Sequence, residues 1–191
     1  MAAPALAPVL VVCPAVVKGA WAAEAARWRP DLIVTILSGR GAFRWPQAGE
    51  MVVVNYDILP PEKFLAEPAQ GTVLVADEAH ALKSSKAQRT RRWRAMAARV
   101  ARHGGRVYLL TGTPMLNRPP ELWNVLRAAG LECDAFGSWY RFMALFGARK
   151  GKFGIVWGRP VPAVPALLQR VMLARRRIEV LPDLPIKTYR T

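Results

Sequence analysis

Short apolar runs punctuate the first 110 residues, at Val9–Cys13, 32–37, 51–54, Val73–Ala76 and 107–110. They are rich in Val, Leu and Ile and do not alternate apolar with polar. Runs of that kind predict strands buried on both faces of a parallel sheet. The segments between them carry a helical period. Over 15–28, Val17, Trp21, Glu24, Ala25 and Trp28 share a mostly apolar face. Over 86–103, Trp93, Met96, Ala97 and Val100 follow the i, i+3, i+4, i+7 rule, while Arg92, Arg99 and Arg102 lie off that face. Ser85 with Gln88 predicts a capping box at the start of this helix, and Gly104-Gly105 predicts its stop. Strands alternating with helices predict an α/β fold with a parallel sheet.

Beyond Pro120 the pattern turns mainly helical. Residues 121–129 and 136–146 read as helices, and 167–177 as a basic helix. Residues 147–165 are rich in Gly and Pro and read as a loop or small excursion, and from Leu181 the chain reads as an extended tail. The expected organisation is an α/β domain over 1–130 and a helical extension over 131–191. No internal repeat is visible.

Charge changes the picture by naming a class of partner. The net charge is +15 and the pI about 11.0, a balance that favours a polyanion, nucleic acid before an acidic membrane surface. Residues 81–120 hold ten Lys/Arg and no acid, and 141–177 hold nine more, again without an acid. The plain alternative is a solvated basic face. Cys13 and Cys133 fit no zinc-ligand spacing, which points to a reduced, cytoplasmic setting. No apolar run approaches the roughly 20 residues needed to span a bilayer. Pro4, Pro8 and Pro14 interrupt the leading apolar stretch and no Lys or Arg precedes Lys18, which argues against a signal peptide. No membrane partner is expected.

The chemistry centres on Val73-Leu74-Val75-Ala76-Asp77-Glu78-Ala79-His80. A strand here delivers two adjacent carboxylates at its C-terminal end, the edge where open α/β sheets bind ligands. Nucleotide hydrolysis uses such a pair, one carboxylate for Mg²⁺ and the next for the attacking water. A strand-end pair that merely caps the following helix reads equally well from this block alone. Tyr108-Leu109-Leu110-Thr111-Gly112-Thr113-Pro114 then repeats the form, a strand ending in a small polar turn.

Taken together, Asp77-Glu78-Ala79-His80, Leu82-Lys83, Leu110-Thr111-Gly112-Thr113-Pro114, Asn117 and Glu121-Leu122-Trp123 resemble motifs II and III of the SWI/SNF-like group of superfamily-two, DEAH-type helicases and translocases. Ser84 stands where that group usually has Asn. Leu10-Val11-Val12-Cys13-Pro14 with Trp21 resembles motif Ia, and Val53-Val54-Asn55-Tyr56-Asp57 resembles motif Ib. Arg175, Arg176, Arg177, Val180, Leu181, Leu184, Pro185 and Lys187 resemble the arginine-rich brace that closes the first motor lobe.

The resemblance implies a RecA-like lobe, a parallel sheet flanked by helices, working with ATP and Mg²⁺ on double-stranded DNA. It implies that Asp77 holds the metal and Glu78 is the catalytic base. His80, Thr111, Gly112 and Thr113 would couple nucleotide state to DNA contacts. Pro14, Lys18, Asn55 and Tyr56 would lie near the DNA-tracking face, and Arg175, Arg176 and Arg177 would form the brace. The protein is expected to be cytoplasmic, bacterial or phage-encoded and nucleoid-associated.

The phosphate-binding signature G-x-x-x-x-G-K-[ST] is absent from the 191 residues. In the family it precedes motif Ia, so it is expected before Met1, and the second RecA-like lobe with its arginine finger is expected after Thr191. Such an incomplete lobe is expected to hydrolyse ATP negligibly alone. Two other readings stay open: a non-catalytic basic DNA-binding remnant, and a split-motor subunit completed by a partner chain with a phosphate loop. An RNA-helicase branch is disfavoured by Glu121-Leu122-Trp123 and the arginine brace.

Overall fold

The computed structural model describes residues 6–39 and 41–175. The chain divides into two compact units, Met1–Glu132 and Cys133–Thr191. The first is built on five parallel strands, with α1 (Lys18–Trp28) following β1 (Val9–Cys13), then β2 (Ile33–Ile36) and β3 (Glu50–Asn55). β4 (Val73–Ala76), α2 (Gln88–Arg102), β5 (Arg106–Leu109) and α3 (Pro119–Ala128) complete it. The sheet order is β2-β3-β1-β4-β5 and every pairing is parallel.

The apolar runs become strands because alternate side chains enter two different cores. Leu10, Val12, Val52, Val54, Leu74 and Ala76 join Trp93, Met96 and Val100 of α2 on one face. Val11, Cys13, Met51 and Val53 meet Ala25 of α1 and Leu32 on the other. Burial on both faces holds for β1 and β3, whose strand residues beyond Val9 are all buried. It does not hold at the edges. Ile33 and Ile36 of β2 are exposed, as is Tyr108 of β5. A continuous apolar run carries no information about which strands have a neighbour on both sides, and these two have one each.

In the first unit two helix expectations change in detail. In 15–28 a single 3-10 turn, Ala15–Val17, precedes α1, and Ala25 is the only buried residue of α1. Trp28 lies outside, its indole donating to Glu24 Oε2 at 2.8 Å. In α2 the expected capping box is not formed, because the N-cap is Ala87, which has no capping side chain. Its stop falls as expected, with Gly104 at φ +64°. Trp93 is fully buried and its indole donates to Ala128 O at 2.8 Å, tying α2 to the end of α3.

In the second unit the expected 136–146 helix is two, α4 (Glu132–Phe136) and α5 (Trp139–Leu145). Gly137, at φ +78°, breaks them, and the Ser138 hydroxyl caps α5 by accepting from the Arg141 amide at 3.2 Å. Phe136, Phe142 and Phe146 pack ring on ring around this break. The Gly/Pro-rich stretch, expected as a loop or small excursion, contains a short antiparallel hairpin, β6 (Arg149–Gly151) and β7 (Gly154–Val156). The basic helix of 167–177 is shifted earlier, to α6 (Val164–Gln169). No helix among the described residues is long and apolar enough to cross a membrane.

Candidate nucleotide and DNA site

The strands are parallel, so all five C-terminal ends face one edge. β1 leads through α1 to β2 on one side, whereas β4 leads through α2 to β5 on the other. The order of connection therefore reverses between β1 and β4. Open α/β sheets form their ligand crevice at such a switch point, outside the carboxyl ends of the strands. Asp77 and Glu78 stand there.

The backbone is held on both sides of the pair. The Asp77 amide donates to Val12 O of β1 at 2.8 Å, and the Ala79 amide donates to Leu110 O at 2.9 Å. Between these anchors Glu78 takes the left-handed conformation, φ 50° and ψ 51°. It is the only non-glycine residue with positive φ among those described. That geometry costs an L-residue about 1–2 kcal/mol, and strain of this kind gathers at functional sites.

The two carboxylates meet different surroundings. Asp77 Oδ2 accepts the Trp21 indole N–H at 2.8 Å, and Oδ1 accepts the Glu78 amide at 2.9 Å. The Asp77 carbonyl accepts the Tyr56 hydroxyl at 2.7 Å. Glu78 is half exposed, with Oε2 lying 3.0 Å from His80 Nδ1, although that nitrogen lacks hydrogen-bond alignment. Burial pushes the Cys13 thiol up to about 11, with the Asp77 charge adding to the effect. Burial likewise raises the Tyr56 phenol, again with help from Asp77, so both groups stay neutral at pH 7.

Thr111, Gly112 and Thr113 follow β5 directly beside the pair, since Leu110 bonds both Ala76 and Ala79. The Thr111 hydroxyl accepts the Thr113 amide at 3.2 Å, shaping the turn. The next loop is pinned by Glu121. Its Oε2 accepts the amides of Leu116 and Asn117, and its Oε1 meets Lys83 Nζ at 3.3 Å. Asn124 adds a bond to Lys83 O at 2.9 Å. The segments after β4 and β5 are thus cross-linked.

Pro14, Lys18, Asn55 and Tyr56 gather at the ends of β1 and β3. Lys18 Nζ donates to Leu37 O and Ser38 Oγ, both at 3.0 Å, and to Asn55 Oδ1 at 3.4 Å. The expected tracking-face positions of Asn55 and Tyr56 meet a steric fact: they are 9% and 4% exposed. Tyr56 is turned inward onto Asp77. Arg175 is exposed and lies outside any helix, while Arg176 and Arg177 fall outside the described residues.

The residues fit a magnesium-bound nucleotide in kind. An ionised carboxylate offers about four acceptor positions, and Asp77 uses two. No cluster of three or more metal-ligating side chains exists among the described residues. Mg²⁺ is held by one or two carboxylates, waters and substrate phosphates rather than a protein cage. Trp21 as a direct partner of Asp77 was not foreseen. The sequence marks Trp21 only as part of the motif Ia resemblance and as an aromatic on the apolar face of α1, neither of which points to Asp77.

A family model described as the SNF2-related domain matches residues 3–191. Among similar curated proteins is the "SWI/SNF-related matrix-associated actin-dependent regulator of chromatin subfamily A-like protein 1 homolog" of Caenorhabditis elegans. It is 29% identical, the match covering 94% of this chain and 26% of that protein. The human "DNA annealing helicase and endonuclease ZRANB3" is 28% identical over 94% of this chain and 17% of its own length. Among solved structures, the Sulfolobus solfataricus SWI2/SNF2 ATPase core in complex with dsDNA superposes with TM-score 0.53 at 23% identity. It covers 74% of this chain and 28% of that one. The fold is that of a RecA-like ATPase lobe. The chain spans about a quarter of the worm relative's length, and less of the human one's.

Proposed function

The chain belongs to the SNF2-related domain family, and from that premise we propose that it is part of the first lobe of an ATP-driven motor that moves along duplex DNA. The observation that carries the reading is the adjacency of Asp77-Glu78 and Thr111-Gly112-Thr113 at the ends of two hydrogen-bonded parallel strands. A carboxylate pair and a polar turn side by side can sense one ligand together.

In this reading Asp77, its carboxylate oriented from two directions, would hold Mg²⁺. The bound magnesium nucleotide supplies the phosphoryl group and the charge neutralisation. Glu78 reaches into solvent from a strained turn and accepts a proton from the attacking water. His80, beside Glu78, and Thr111–Thr113 pass the state of the site to neighbouring segments. The DNA backbone is met by the rim beside half-buried Pro14 and Lys18 and by the basic stretches, with Asn55 and Tyr56 supporting that rim from beneath. Contacts of that type hold phosphates and carry little sequence information.

The test is Glu78→Gln in the full-length protein that carries this segment. DNA-stimulated ATP hydrolysis is expected to fall at least 100-fold, the low end of general-base effects, with DNA binding kept. Turnover near the wild-type level would remove Glu78 from the role. The +15 net charge favours a second reading for the chain alone: a DNA-binding piece without turnover, or one completed by a partner. Co-purification with a phosphate-loop protein separates these two.

A further inference from the structure

Two aromatic donors from separate segments converge on one residue. Trp21 comes from the first turn of α1, after β1, and Tyr56 comes from the 3-10 turn after β3. The indole N–H reaches Asp77 Oδ2 at 2.8 Å and the phenol O–H reaches Asp77 O at 2.7 Å. One bond fixes the carboxylate and the other fixes the main chain that carries it. The Val12 carbonyl of β1 takes the Asp77 amide. Tyr56 is buried. Trp21 is half-buried and packs against the apolar cluster between α1 and the sheet.

The choice of donors has a chemical meaning. Lys18 is the cation nearest in sequence to Trp21, yet its ammonium is spent on Leu37 O, Ser38 Oγ and Asn55 Oδ1. No cation pairs with Asp77 among the described residues. An indole N–H orients a carboxylate without neutralising it, leaving its full charge for a metal. Outer-shell donors of this kind set the direction and basicity of a metal ligand.

We propose that Trp21 and Tyr56 are positioning residues that clamp Asp77 for metal binding, so that displacement of either the β1–α1 segment or the turn after β3 alters the metal site. The inference rests on the reading of Asp77 as the metal-holding carboxylate. The clamp gives the two segments that rim the DNA side a direct mechanical line to the carboxylate.

The experiment uses the 191-residue chain and Mn²⁺ alone, bound Mn²⁺ being followed by water-proton relaxation. Wild type, Trp21→Phe, Tyr56→Phe and Asp77→Asn are compared, each with its thermal midpoint measured. The expected result is Mn²⁺ binding about tenfold weaker in both clamp variants, the low end of outer-shell effects, and lost in Asp77→Asn. Clamp variants that are folded and bind Mn²⁺ like wild type, while Asp77→Asn does not, overturn the clamp and leave the Asp77 reading standing. Wild type without Mn²⁺ binding, or Asp77→Asn binding as well as wild type, overturns the Asp77 reading and the clamp with it. A second readout covers a clamp variant that fails to fold. The Trp21 indole N–H resonance, identified by its loss in Trp21→Phe, is expected to shift in Asp77→Asn. A resonance that stays put means the bond is not made and the clamp is overturned.

Discussion

Glu78 illustrates how one residue answers to two demands. As a side chain it must stand free of the sheet, and half of it is exposed. As a backbone unit it joins a strand that hydrogen-bonds to β1 on one side to a turn that bonds beyond β5 on the other, and it does so in a left-handed step. The strain predicts an unusual substitution order. Glu78→Gly is expected to fold with a stability within about 1 kcal/mol of wild type, since glycine adopts this φ freely and its extra unfolded-state entropy offsets the relief. Glu78→Val is expected to lose about 2 kcal/mol or more, because a β-branched residue is a genuine outlier there. Urea denaturation of both variants checks this, and equal stability would mean the left-handed turn is absent in solution. Asp77 shows the complementary case, an ordinary backbone whose side chain is oriented from outside by Trp21.

At the scale of elements, the β2–β3 edge depends on a single acid. Glu50, at the start of β3, is buried and accepts from Arg44 Nη1 at 2.7 Å, from the Thr35 hydroxyl of β2 at 2.7 Å and from the Gln47 amide at 3.1 Å. A second guanidinium nitrogen of Arg44 closes the pair on the other carboxylate oxygen. The Arg44 guanidinium, helped by Thr35 and Gln47 against the cost of burial, lowers the Glu50 carboxyl from 4.5 to about 2. A depressed folded value means that the unfolded chain binds the proton more readily. The stabilisation is therefore complete above about pH 4.5 and is lost as pH falls toward 2. Its size is about 3 kcal/mol at most. Glu50→Gln is expected to lower stability at pH 7 by about 2–3 kcal/mol and to flatten the curve between those pH values. Unfolding free energies measured at pH 3, 5 and 7 decide it, and an unchanged pH slope would count against the pair.

For the whole molecule, charge and fold act independently. The +15 net charge acts on any polyanion, whereas the sheet gives the ligand edge its chemistry. The chain is expected to bind duplex DNA at low salt without sequence preference. Its log affinity should fall with log salt at a slope of about −0.9 per phosphate neutralised. Fluorescence anisotropy between about 50 and 200 mM salt measures this range, and no binding at the low end would exclude a DNA-binding role for the chain alone. What the sequence determined by itself was local: five apolar runs became five strands, the Trp93–Val100 stripe became the buried face of α2, and Asp77-Glu78 and Thr111–Thr113 stood at strand ends. Each follows from nearest-neighbour chemistry, where side-chain period and turn residues suffice. Strand order was decided only in three dimensions, and with it the exposure of Ile33 and Tyr108 and the meeting of Trp21, Tyr56 and Asp77 across 56 and 21 residues of sequence. Hydrogen bonds between distant segments depend on which strands lie side by side, and no local pattern encodes that adjacency.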